Sequence, residues 1–350
     1  MKLRDKMGLA EKQGDVGIEI EVEGYGLPCA PVGWMGEHDG SLRGEAIEYV
    51  LKKPCARDKV EMYLDRLIDA AEGVEILDTG YAGVHIHINV QELNLTQVVN
   101  MICLYLIYEE SLIRYCGAER EGNLFCLRNK DAQYLVDSVR TIMRDDKWHK
   151  FDSDRLRYAA MNLKALATYG SIEFRAMRST MDKGVLMPWV NALLRLRDYA
   201  QKFSSPIKIV EAASGQGLDY LFEEIFGDTP IQYDEDGAWR GVRHAQLIAY
   251  ARRDWEEYGS HDENSREHWV KLVGDRVHRA YNFREKVQEW LSSDEAWDRA
   301  DKGDPATYCK HYLNWMNHEG VGPRWRVAEV FDRIGGLANA LDLEEVPDEE

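Results

Sequence analysis

One octet constrains the fold of this chain more than any other: Gly17-Ile18-Glu19-Ile20-Glu21-Val22-Glu23-Gly24. Its residues alternate without exception. Side chains on a strand point alternately to opposite faces, so Ile18, Ile20 and Val22 form one row and Glu19, Glu21 and Glu23 the other. The apolar row calls for a core. The acidic row places neighbouring carboxylates about 6–7 Å apart along the strand, where two unit charges repel by roughly 3 kcal/mol at an effective dielectric near 20. A solvated sheet face tolerates such a row, and a divalent cation suits it better. The pattern gains weight because three later segments repeat it.

Glu45–Leu51 is a second strand, stopped by Pro54, in which Ala46, Glu48 and Val50 share a face. Val84–Val90 alternates strictly again, with Val84, Ile86, Ile88 and Val90 core-facing and His85, His87 and Asn89 opposed to them. In Ser171–Arg178, Ile172 and Phe174 face a core while Glu173 and Arg175 face away. Between these strands run helical patterns: 57–72, a very apolar helix from an N-cap at Thr96 to about Tyr115 ended by Gly117, 131–145, and a helix capped by Asp182 that runs through Trp189 to about Phe203. Residues 25–39 read as a loop, and 159–166 as a strand or turn with Asn162 and Lys164 on one side. Beyond Ser205-Pro206 only helical patterns remain, near 206–214, 217–226, 241–258, 264–292, 305–317 and 323–341. The expected division is 1–204 and 205–350.

Charge and cysteine usage narrow the function classes. A net charge of −18 over 350 residues argues against a broad nucleic-acid or anionic-membrane surface, and leaves a metal-screened nucleotide open. No apolar run has transmembrane length, and the first fifteen residues lack the apolar core of a signal peptide, so a cytoplasmic protein is expected. The six cysteines show no CxxC pair, and reduced thiols are the default there.

Placed in one antiparallel sheet with every apolar row against helices, the four strands gather Glu19, Glu21, Glu23, Glu48, His85, His87, Asn89, Glu173 and Arg175 on a single face, with Asp39 in a loop at its rim. Carboxylates with one or two imidazoles suit Mg²⁺ or Mn²⁺. A catalytic zinc or iron site on an all-β barrel is the chemical alternative, and the abundant carboxylates and interleaved helices speak against it. Glu23 also reads as a solvated carboxylate, His87 as a hydrogen-bonded sheet residue and Glu45 as surface. An Arg two residues after a Glu on one strand face can bind phosphate while its neighbour binds metal.

The ordered set GIEIEVEG (17–24), HDGSLRGEAIEYVLKKP (38–54), GVHIHINV (83–90), YAAMNLKAL (158–166) and SIEFRAMRSTMD (171–182), with Trp189 after it, resembles the amidoligases. These are carboxylate–amine ligases of the glutamine synthetase / glutamate–cysteine ligase superfamily, found in bacteria and phages. The resemblance covers roughly 15–200. It implies an α+β fold: a curved antiparallel sheet of glutamine synthetase-like type, helices on its convex face and the site on the concave one, here followed by a helical C-terminal region. It implies metal ligands at Glu19, Glu21, Asp39, Glu48, His85 and Glu173, with Glu48 and His85 also near the reacting groups. Arg175 matches the phosphate-binding arginine; Arg178, Lys164, Asn162 and Arg128 are further nucleotide-side candidates. The chain departs in carrying Leu-Lys-Lys before Pro54, where a small polar residue is usual. That departure bears on substrate identity.

The implied cofactors are ATP and Mg²⁺ (or Mn²⁺), and the implied substrates a small-molecule or peptide carboxylate and an amine. The reaction would pass through an acyl phosphate. A phosphotransferase on the same fold, and a non-catalytic binding or structural protein keeping the scaffold, are the alternatives. Relatives form rings, so a homo-oligomer stays open.

Overall fold

A computed structural model describes residues 1–251 except 39–41, 78–81, 121–125, 129–132, 146, 154–155 and 158. Asp39 and the helical patterns expected beyond 251 lie outside the described residues. Seven strands form one open, curved sheet: β1 (Val16–Tyr25), β2 (Trp34–Glu37), β3 (Ala46–Leu51), β4 (Glu75–Leu77), β5 (Gly83–Asn89), β6 (Met161–Asn162) and β7 (Ser171–Arg178). Their order is β2-β3-β1-β5-β7-β6, with β4 also paired to β1, and every ladder is antiparallel. The four patterned segments are thus direct neighbours, β3-β1-β5-β7.

The apolar rows behave as their period demands. Ile18, Ile20, Val22, Val84, Ile86, Ile88, Ile172 and Phe174 are all buried. Against them pack helices α3 (Leu95–Cys116) and α6 (Lys183–Ala200), which contact β7 and β5 respectively. Burying a Leu- or Phe-sized side chain stabilises by about 1.5–3 kcal/mol, so eight such residues fix which face of the sheet turns inward.

Helix α3 begins two residues earlier than its apolar pattern suggests. Asn94, not Thr96, is the N-cap: its side chain accepts from the Gln97 amide while Gln97 accepts from the Asn94 amide. Both residue types cap well, and Gln97 decides the choice by closing a capping box. Asp182 does cap α6, accepting from the Gly184 amide at 2.7 Å. The other helices of the described residues are α1 (Leu3–Met7), α2 (Val60–Ala70), α4 (Gln133–Asp145), α5 (Ala165–Tyr169), α7 (Pro206–Gly215), α8 (Leu218–Phe226) and α9 (Glu235–Ala249).

One feature differs from the sequence reading. The stretch 25–39 is not all loop, because Trp34–Glu37 pairs with β3 as an edge strand. Helices on the two sides of Ser204 pack together. Helices α7 and α9 both lie against α3, and one compact unit takes in 1–130 and 135–252. Tyr108 of α3 shows the bond across that point: its hydroxyl donates to the Leu218 carbonyl at 2.8 Å, and its ring meets Phe222 and Phe226 edge-on.

Candidate metal and phosphate site

Register decides which ionisable side chains meet. Residues directly opposite on antiparallel strands project to the same face. Glu19 stands opposite His85, His87 opposite Glu173, Glu173 opposite Asn162, and Glu21 opposite Glu48. The row continues to Glu37 on β2, opposite Glu48. Glu37 escaped the sequence reading because its strand was hidden in a Gly- and Pro-rich stretch.

Glu19 is the hub. Its two carboxylate oxygens meet His85 Nδ1 at 3.1 Å and His87 Nε2 at 3.2 Å. Glu173 lies 3.7 Å from His85 Nδ1 and 4.0 Å from His87 Nε2. Glu21 Oε1 is 3.7 Å from His85 Nε2. Donor atoms of Glu19, His87 and Glu173 all lie within 4.8 Å of one another, and so do those of Glu19, Glu48 and His85. Ligands spaced about 3–4 Å apart are what a small cation with bonds near 2.1 Å requires. Carboxylate oxygens with neutral imidazole nitrogens are the donor set of Mg²⁺ or Mn²⁺. The residues therefore fit a divalent ion, with Glu19 common to both groupings.

The protein itself orients these ligands. Asn162 donates to Glu173 Oε2 at 2.6 Å, and its own carbonyl accepts from the Lys164 amide at 2.9 Å. His87 Nδ1 sits 3.1 Å from the Ser171 hydroxyl. Glu21 Oε2 accepts from the Gly83 amide at 2.8 Å. Arg175 is paired with Glu173 through its guanidinium. Partners of this kind fix ligand orientation and tune affinity.

Electrostatics follow from burial and pairing. Burial raises the Glu19 pKa, yet hydrogen bonds from His85 and His87 outweigh it and hold the carboxyl well below its ordinary range. Glu173 is lowered too: burial opposes, and Arg175 and the two histidines win. Burial pushes His87 down, but Glu173 and Glu19 raise it above its ordinary value. These contacts favour the ionised forms of Glu19 and Glu173 and the charged forms of His87 and Arg175 beside them.

Several candidates are occupied elsewhere. Arg128 pairs with Glu110 of α3 at 3.0 Å, both largely buried. The Arg178 guanidinium donates to the Tyr115 and Cys116 carbonyls at the end of α3, at 3.4 and 3.3 Å. Asn89 donates to the Lys12 and Gly14 carbonyls and so ties down the N-terminal segment. Glu23 accepts from the Arg43 amide at 2.6 Å and is buried rather than solvated. Lys164 stands just before α5, close in sequence to Asn162.

A β-bulge gives β7 its special geometry. Val84 is opposite Met177 and Ile86 opposite Phe174, so Arg175 and Ala176 together face His85. Such a bulge redirects side chains and leaves backbone groups unpaired. Here the Arg175 and Ala176 carbonyls are taken by Arg120, at 2.9 and 3.2 Å. No sequence pattern pointed to Arg120.

Among known families, the model described as "Putative amidoligase enzyme" matches residues 54–196. No curated protein matches the chain. The matched segment contains His85, Asn162, Glu173 and Arg175, while Glu19, Glu21 and Glu48 precede it. Over residues 54–196 the chain is thus similar to the amidoligase family.

Proposed function

We propose that this protein is an ATP-dependent carboxylate–amine ligase that works with Mg²⁺ or Mn²⁺. The observation that carries the reading is the meeting, from four strands, of two groups within ligand distance, Glu19 with His87 and Glu173 and Glu19 with Glu48 and His85. The family match supplies the reaction class. A substrate carboxylate oxygen attacks the γ-phosphorus of ATP; the bond to the β–γ bridging oxygen breaks, giving an acyl phosphate and ADP. An amine then attacks the acyl carbon, and phosphate leaves with the bond electrons as an amide forms.

Glu19, Glu48, His85, His87 and Glu173 would hold the cations, with Glu21 and Asp39 as further ligands. Such ions supply charge neutralisation on the triphosphate, which is most of what phosphoryl transfer asks of a protein. The residues do the positioning. Asn162 keeps Glu173 in place. Arg175 now spends its charge on Glu173; when Glu173 gives its oxygens to an ion, the guanidinium is left for phosphoryl oxygens, which it matches in shape and charge. No protein nucleophile is needed.

The test is to incubate the protein with ATP, Mg²⁺ and pooled carboxylates and amines, following ADP and product masses. ADP release that needs both a carboxylate and the divalent ion, with an amide product, is the expected result. A phosphorylated product without amide would favour phosphotransfer. No nucleotide turnover and no MgATP binding would favour a non-catalytic role.

A further inference from the structure

Arg120 is a buried residue beside the site whose charge the proposed chemistry does not use. It is 2% exposed, and its partners are backbone carbonyls rather than a carboxylate. Nη1 donates to Ala82 at 3.1 Å, Nη2 to Arg175 at 2.9 Å and Nε to Ala176 at 3.2 Å. Taking a guanidinium out of water is expensive, so its retention needs a compensating set of bonds. Three carbonyls provide it, one just before β5 and two on β7. Only a planar fork reaches all three; the point charge of a lysine does not.

The chain makes room for this group. A Cβ on Gly83 would sit 2.8 Å from Arg120 Nη2 and 3.2 Å from Cζ. The Gly83 amide, in the same peptide unit as the Ala82 carbonyl, donates to Glu21 at 2.8 Å. One guanidinium therefore grips the peptide that opens β5, whose amide aims at Glu21, and the bulge of β7, which carries Arg175.

We infer that Arg120 is a positioning residue for this site: it clamps the β5–β7 bulge and thereby sets the placement of Glu21 and Arg175 relative to each other. The inference rests on the ligase reading for the role of Arg175, while the clamp itself can be measured without turnover.

The experiment compares wild type, Arg120→Lys and Arg120→Ala by hydrogen exchange at the Gly83 amide and by steady-state ADP release. Both variants should exchange Gly83 at least about tenfold faster. Their kcat should fall about 10- to 100-fold, since a misplacement near 1 Å is enough for that, with KM for ATP little changed. Lysine should not rescue, whereas added methylguanidinium should restore part of the turnover of Arg120→Ala. Merely weakened folding would not respond to a small guanidinium. Wild-type kcat in Arg120→Ala overturns the inference, as does loss of turnover that methylguanidinium leaves untouched. If Arg120→Ala does not fold, Gly83→Ala keeps the arginine while occupying its place, and the same two readouts decide. If the wild-type protein releases no ADP, the ligase reading fails, and Gly83 exchange alone decides: faster exchange in the variants supports the clamp, unchanged exchange overturns it.

Discussion

The two faces of β1 obey different rules. On one, Ile18, Ile20 and Val22 are buried with the apolar residues of β5 and β7. On the other, Glu19, Glu21 and Glu23 meet histidines, backbone amides and the carboxylate of Glu48. The first face stabilises by area and tolerates changes that keep volume. The second brings like charges together: Glu21 and Glu48 stand directly opposite, an arrangement that is destabilising in a sheet. A chain selected for stability alone gains nothing from that row. The contrast assigns folding to one side of the strand and, in the function proposed above, ion binding to the other.

The largest expected effect would break the chemical side alone. Glu19→Ala removes the ligand common to both candidate ion groupings, and carboxylate-dependent ADP release should drop by roughly 10²–10³-fold or more. Chemical and thermal melts should show it still folded. Turnover equal to wild type would remove Glu19 from the mechanism.

The reciprocal change breaks the structural side. Ile86→Ala deletes a fully buried side chain between His85 and His87, and should lower unfolding free energy by about 2–5 kcal/mol. Activity per folded molecule should survive. An Ile86→Ala protein with full stability would mean that the apolar row is not the core.

A cation should sharpen the contrast by stabilising through the chemical face. Mg²⁺ or Mn²⁺ at 100 times its dissociation constant contributes about 2.7 kcal/mol, read as a rise in melting temperature. The rise should vanish in Glu173→Ala. The same rise in that variant would place the ion elsewhere.

A smaller effect concerns pH in the metal-free protein. Glu19 and Glu173 have lowered pKa values, so their contribution is present above 4.5 and lost as pH falls through the folded values. His87 is raised, so its contribution is full below 6.5 and lost as pH rises through its folded value. This cluster therefore favours the folded state most between those two values. Urea midpoints should decline on the alkaline side, and His87→Gln should flatten that decline. An unchanged slope in His87→Gln would remove the histidine from the balance.

How much of this was legible in the sequence follows from range. Strict alternation in 17–24 and 83–90 fixed the strands and their sidedness, because period two is local. It also placed Glu19, His85, His87 and Glu173 on one face, given one sheet. What escaped depends on contacts between distant segments. Trp34–Glu37 becomes a strand only by pairing with β3. The bulge opposite His85 leaves no local mark in Ser171–Arg178. Arg120 and Arg128 look alike as loop arginines, yet one clamps strand carbonyls and the other pairs with Glu110. The ionisable row was readable; the residues that hold it in place were not.

The most direct test of that division is a calorimetric titration of the metal-free protein with Mn²⁺, comparing wild type with Glu19→Ala and Ile86→Val. Binding by wild type and Ile86→Val, and its loss in Glu19→Ala, is the predicted result. Absence of binding in wild type, or equal binding in Glu19→Ala, would contradict the claim that the acidic face of β1 is a cation site.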